Sequence, residues 1–148
     1  MKAILISIMA MISIAAQAAD IEIKNPRIFA PIEGTNTTAG YGTIKNTSKK
    51  EVIIKAVEVQ PFKAIELHQT SEKDGRMSMQ KMEEIKIPAG KEFDLAPGGN
   101  HIMLFDATKA VKEKETLTVK LTVNGKEQTF QFPVVARIQK QEEHHHHH

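Results

Sequence analysis

Residues 116–134 read TLTVKLTVNGKEQTFQFPV, and they decide the fold class. Leu117, Val119, Leu121 and Val123 alternate with Thr and Lys. In an extended chain such alternation puts every apolar side chain on one face. After Asn124-Gly125 a second alternating run carries Phe130, Phe132 and Val134. Asn-Gly accepts the positive φ angles of a tight two-residue turn, so the two runs predict a β-hairpin. Working outward, Ile21 and Ile23 alternate with polar residues, and Tyr41, Thr43 and Lys45 lie between Gly40 and Asn46. Residues 52–59 are rich in Val and Ile, and residues 64–69 follow Pro61 as another strand-length piece. Residues 107–114 are expected to hold one helical turn. No stretch sustains a 3.6-residue period, and no internal repeat or linker interrupts the chain. Short strands separated by turn signals predict a single all-β domain, an antiparallel sandwich or barrel.

The two ends read differently from the middle. His144 to His148 form a terminal histidine run, which reads as an expression tag. Residues 1–18 read as a secretory signal: Lys2, an apolar stretch over 3–15, then Ala16-Gln17-Ala18 with a cut expected before Ala19. That apolar stretch falls short of the ~20 residues a spanning helix needs, so no membrane span is expected after cleavage. No Cys follows the expected cut, so lipid attachment of the lipoprotein type is not expected. The working domain is then 19–143, long enough for one core.

Within that domain the composition excludes several function classes. Without Lys2, 19 basic residues face 18 acidic ones, which gives no reason to expect nucleic acid or an anionic membrane as partner. The chain has no Cys. A disulfide framework, a thiol nucleophile, a zinc–thiolate site and a blue-copper centre are all excluded. Neither a Gly-x-Ser-x-Gly elbow nor a His-Glu-x-x-His pair is present, and no enzymatic activity is expected. Asn36-Thr37-Thr38 and Asn46-Thr47-Ser48 match the glycosylation sequon, a pattern common by chance.

Outside the two ends, every His and Met lies between positions 68 and 103: His68, Met77, Met79, Met82, His101 and Met103. His101 and Met103 share one face of a strand, as do Met77 and Met79. Asp74-Gly75 has the character of a hairpin turn. With a two-residue loop, Lys73 pairs with Arg76 and Thr70 with Met79, which makes His68 and Met79 diagonal neighbours across two strands. A longer loop would shift that register. If the strand of His101 approaches this hairpin, two imidazoles and two thioethers converge. Thioether sulfur is soft and selects Cu(I) over Zn, Mg or Ca, and imidazole suits copper. Unlike thiols, thioethers form no disulfides in an oxidising compartment.

The spacing is H-x10-M-x21-H-x-M over His68, Met79, His101 and Met103. It resembles the signature of the periplasmic copper chaperone family PCuAC. Glu66-Leu67 before His68, Gly75 before the Met pair, Ile87-Pro88-Ala89-Gly90, and Pro97-Gly98-Gly99 ahead of His101-Ile102-Met103-Leu104 resemble the family as well. The segment from Ala39 to Asn46 is similar to its Tyr-containing strand. The resemblance covers roughly residues 26–135. It implies a cupredoxin-like Greek-key β-barrel in the periplasm, binding one exposed Cu(I) through those four residues; separately from the resemblance, a monomer is expected. It further implies delivery of copper toward the Cu-A site in subunit II of cytochrome c oxidase, or to another periplasmic acceptor. Met77 and Met82 are extra thioethers, expected in hairpin packing or beside the site. Residues 138–143 lack His and Met, so the second copper site of some family members is not expected. Copper storage, efflux or tolerance would use the same site, and a structural sandwich without metal is the remaining alternative.

Overall fold

The computed structural model describes residues 20–137. The expected signal segment and the terminal histidine run lie outside the described residues. Ten strands follow one another: β1 (Ile21–Phe29), β2 (Thr38–Asn46), β3 (Val52–Val59), β4 (Phe62–Lys73), β5 (Arg76–Met82), β6 (Ile85–Ile87), β7 (Glu92–Leu95), β8 (His101–Ala107), β9 (Thr116–Val123) and β10 (Lys126–Val135). The predicted hairpin is β9–β10, in register from Val123↔Lys126 to Thr116↔Pro133. Its turn residues Asn124 and Gly125 have φ of 49° and 78°. Leu117, Val119, Leu121 and Val123 are buried, as are Phe132 and Val134, so the alternation read from the sequence is the core face.

The strands run in the order β5-β4-β8-β2-β1-β10-β9-β3-β6, with β7 joined to β2. All pairings are antiparallel except β1 with β10. β2 is shared along its length: Thr38 to Gly40 pair with β8, and Gly42 to Lys45 with β7. The sheet closes over one apolar cluster drawn from both halves, including Ile28, Ile44, Ile54, Leu67, Ile102, Leu104, Leu121 and Phe132. Burial of such side chains is the main term favouring the fold, at ~1.5–3 kcal/mol each.

The helical turn expected over residues 107–114 is not formed, and the described residues contain no helix. The backbone there bonds outward. The Ala107 N–H donates to the Asn36 carbonyl, Thr108 N–H to that of Pro61, and Lys114 N–H to that of Val134, at 2.9–3.0 Å. Val111 is buried at the same time. Those three donors, taken by neighbouring loops and strands, are lost to a helical ladder.

Candidate metal centre

The β4–β5 hairpin has the two-residue turn and the register anticipated for it: Lys73 pairs with Arg76 and Thr70 with Met79. Asp74 and Gly75 have φ of 54° and 72°. His68 lies opposite Lys81, so His68 and Met79 are diagonal neighbours. On its other side β4 pairs with β8, where His68 faces His101 directly and Glu66 faces Met103. Strand alternation then puts His68, Met79, His101 and Met103 on one face of the three-strand unit β5-β4-β8. The opposite face carries Leu67, Ile102 and Leu104, all in the core. The two imidazole rings are 5.5 Å apart between centroids.

The four residues differ in exposure. His101 is buried, His68 and Met103 are half-buried, and Met79 is 59% exposed. The two extra methionines separate. Met82 faces Leu67 and packs against the core, on the far side of the sheet from the imidazoles. Met77 shares the face of Met79 but lies opposite Glu72 toward the hairpin tip.

Hydrogen bonding fixes which ring nitrogens are free. The Nδ1–H of His101 donates to the Gly99 carbonyl at 3.1 Å, because a carbonyl only accepts. Its Nε2 then keeps a lone pair. His68 is bonded through its other nitrogen: Nε2 lies 2.6 Å from Glu66 Oε2. An ionised carboxylate only accepts, so Nε2 is the donor, and in the neutral ring Nδ1 holds the lone pair. Among the described residues, that Nδ1 is the one buried side-chain nitrogen or oxygen without a hydrogen-bond partner. Buried polar atoms are rarely left unpaired, and one that is unpaired calls for a partner such as an ion.

Aromatic rings wall the pair. Phe105 lies 6.2 Å from His68, and Tyr41 lies 6.4 Å from His101. Arg27 stacks over Tyr41 at 5.4 Å, and Phe29 packs against the same ring at 5.1 Å. Burial pushes the Tyr41 hydroxyl above its ordinary range, against the opposing pull of Arg137 and Arg27. Tyr41 therefore stays a neutral phenol, a packing wall and not a phenolate donor.

Among the described residues no group of three or more His, Asp or Glu is placed to hold a metal. A metal site here needs the thioethers, and a donor set of two imidazoles and thioether sulfur fits soft copper. Two partners of the imidazoles were not anticipated from the sequence. Glu66 carried a signal, since a carboxylate two residues before a strand His shares its face. The Gly99 carbonyl carried none.

A family model described as "Putative lipoprotein LpqE-like" matches residues 21–134. "Putative lipoprotein Lxx21020" of Leifsonia xyli subsp. xyli (strain CTCB07) is 34% identical over 89 residues, 60% of this chain and 54% of its own length. The chain thus matches about half the length of that relative. Among solved structures, the apo PCuAC domain from PmoF1 aligns with a TM-score of 0.67 at 22% identity, over 80% of this chain and 96% of that one. The copper-bound PCuAC domain from PmoF2 aligns at 0.65 and 22%, over 80% and 95%. The solution structure of apo-DR1885 from Deinococcus radiodurans aligns at 0.61 and 25%, over 93% of each chain. The fold is the all-β, cupredoxin-like one of PCuAC domains.

Proposed function

Because the chain belongs to the LpqE-like family and folds as PCuAC domains do, we propose that it is an exported Cu(I) carrier. His68, Met79, His101 and Met103 hold the ion, and the protein passes it to a copper acceptor outside the cytoplasm. Residues 1–18 direct export to the periplasm and 19–143 form the working domain. One observation carries the reading: two imidazoles paired across β4 and β8, each tied by one nitrogen and each keeping a lone pair on the other. The copper-bound PmoF2 domain supports it by likeness of fold. The role is binding and handover, not catalysis. The exposed thioether of Met79 favours exchange over permanent retention, and so supports delivery over storage. The Cu-A site of cytochrome c oxidase is the acceptor proposed first.

The test is anaerobic Cu(I) titration of tag-free protein with X-ray absorption on the product. The expected result is one Cu(I) per chain with both sulfur and nitrogen neighbours. A shell of nitrogen and oxygen alone overturns the ligand set. Incubation of the loaded protein with an apo Cu-A domain then separates delivery from storage.

A further inference from the structure

Glu66 precedes His68 by two residues on β4 and shares its face, directly across from Met103 in register. Its carboxylate reaches back to His68 Nε2 at 2.6 Å. The contact decides a tautomer. With the proton on Nε2, the lone pair of a neutral ring belongs to Nδ1, and His68 Nδ1 is the buried nitrogen without a protein partner. His101 is set the opposite way, through Nδ1 on the Gly99 carbonyl. The two imidazoles therefore offer different nitrogens, Nδ1 from His68 and Nε2 from His101.

We propose that Glu66 is a positioning residue for copper: it holds His68 as the Nε2–H tautomer, so that Nδ1 is the donor offered to the ion. The inference rests on the Cu(I) reading above. A ligating histidine gains orientation and basicity when its second nitrogen donates to a carboxylate. Glu66 also places the negative charge of a carboxylate beside a ligand set that is otherwise neutral. Its side chain is one-third exposed, so solvent screens much of that charge and the tautomer is the stronger effect.

The experiment has a metal-free arm and a copper arm, both on tag-free protein. Long-range proton–nitrogen spectra of the apo protein report which His68 nitrogen carries the proton. Wild type is expected as Nε2–H. Glu66→Leu is expected to lose that preference and to bind Cu(I) about 10- to 100-fold more weakly in a competition titration. Glu66→Gln keeps one accepting oxygen and is expected to lie between the two. A His68 in wild type protonated on Nδ1 overturns the inference. So does a Leu variant that matches wild type in tautomer or in affinity, or a Gln variant no better than Leu. A wild-type chain that takes up no Cu(I) overturns the function proposed above. The apo spectra still decide the Glu66–His68 assignment in that case.

Discussion

At the scale of single residues, the four proposed ligands are unequal. His101 is buried between Tyr41 and His68, and the described residues hold no third imidazole to replace it. His101→Ala is expected to lower Cu(I) affinity by at least about 100-fold, the largest loss of the set. Met79→Ala is expected to lose less, because Met77 lies two residues away on the same face. Met82→Ala is expected to leave affinity unchanged and to lower stability, since Met82 packs against the core. A competition titration and a urea melt on each variant check both halves. A Met82→Ala change that weakened copper binding more than Met103→Ala would overturn the assignment.

Asn46 is a residue of the second kind, structural and buried. Its Nδ2 donates to the carbonyls of Lys50 and Ile87 at 2.6 and 2.8 Å. Its Oδ1 accepts from the Ser48 N–H and hydroxyl at 2.9 and 2.7 Å. One side chain thus ties the β2–β3 loop to the end of β6. Asn46→Ala leaves several buried partners unpaired and is expected to cost about 3 kcal/mol in urea unfolding. The Asn46-Thr47-Ser48 sequon match is accounted for by this role, since its Asn is fully buried. Nothing in the tripeptide reveals that burial, because the partners at Ile87 and Lys50 come from the fold.

At the scale of elements, both hairpins were legible in the sequence because each is a local object. Asn124-Gly125 and Asp74-Gly75 supply paired positive φ angles, and the strands beside them follow with period two. In the second hairpin the two-residue turn alone sets the register, and that register makes His68 and Met79 neighbours. The adjacency of β4 and β8 was not legible, since it joins residues 33 positions apart, His68 and His101. Only the family resemblance carried that convergence. β6 and β7 went unnamed because three and four residues are too few to display a period. The turn expected over 107–114 failed because strand and loop carbonyls compete for its N–H groups.

The two hairpins nonetheless differ in what they support. A Cβ added at Gly75 or at Gly125 meets no atom within 4 Å, so the cost of Ala at either site is backbone strain alone, about 1 kcal/mol. The β9–β10 hairpin is built into the core, whereas both strands near Gly75 are exposed. Gly125→Ala is expected to lower global stability by that amount in urea. Gly75→Ala is expected to spare it, because the tip can open locally, and to raise amide hydrogen exchange in β5. Equal losses of global stability in the two variants would contradict the local opening of β5.

At the scale of the whole molecule, the site and the core are two faces of the same strands. Leu67 lies beside His68, and Ile102 lies between His101 and Met103; both are in the apolar cluster. The donors are thus mounted on a framework whose stability comes from apolar burial. Acid should therefore act on the two faces separately. A ligating imidazole must be neutral, so protons compete with copper, while thioethers do not titrate. The ion pairs on the surface, such as Lys24–Glu92 and Lys120–Glu58, are substantially exposed and contribute little. Among them Glu58 is held below its ordinary 4.5 by its hydrogen bonds to Gln60 and Lys120. A lowered carboxylate stabilises above its unfolded value and loses that contribution only as pH falls through the folded one, which lies below that ordinary 4.5. Between pH 8 and 5 the fold should stay intact. Cu(I) affinity should fall as pH is lowered, by up to about two log units per pH unit where both imidazoles take up protons in place of the ion, one for each. The measurement is a competitive Cu(I) titration of tag-free protein across that range, corrected for the probe's own protonation, beside circular dichroism. An affinity flat down to pH 5 with the fold intact would remove both imidazoles from the ligand set. An affinity that fell only together with the β-sheet signal would place the acid response in the framework and not in the ligands.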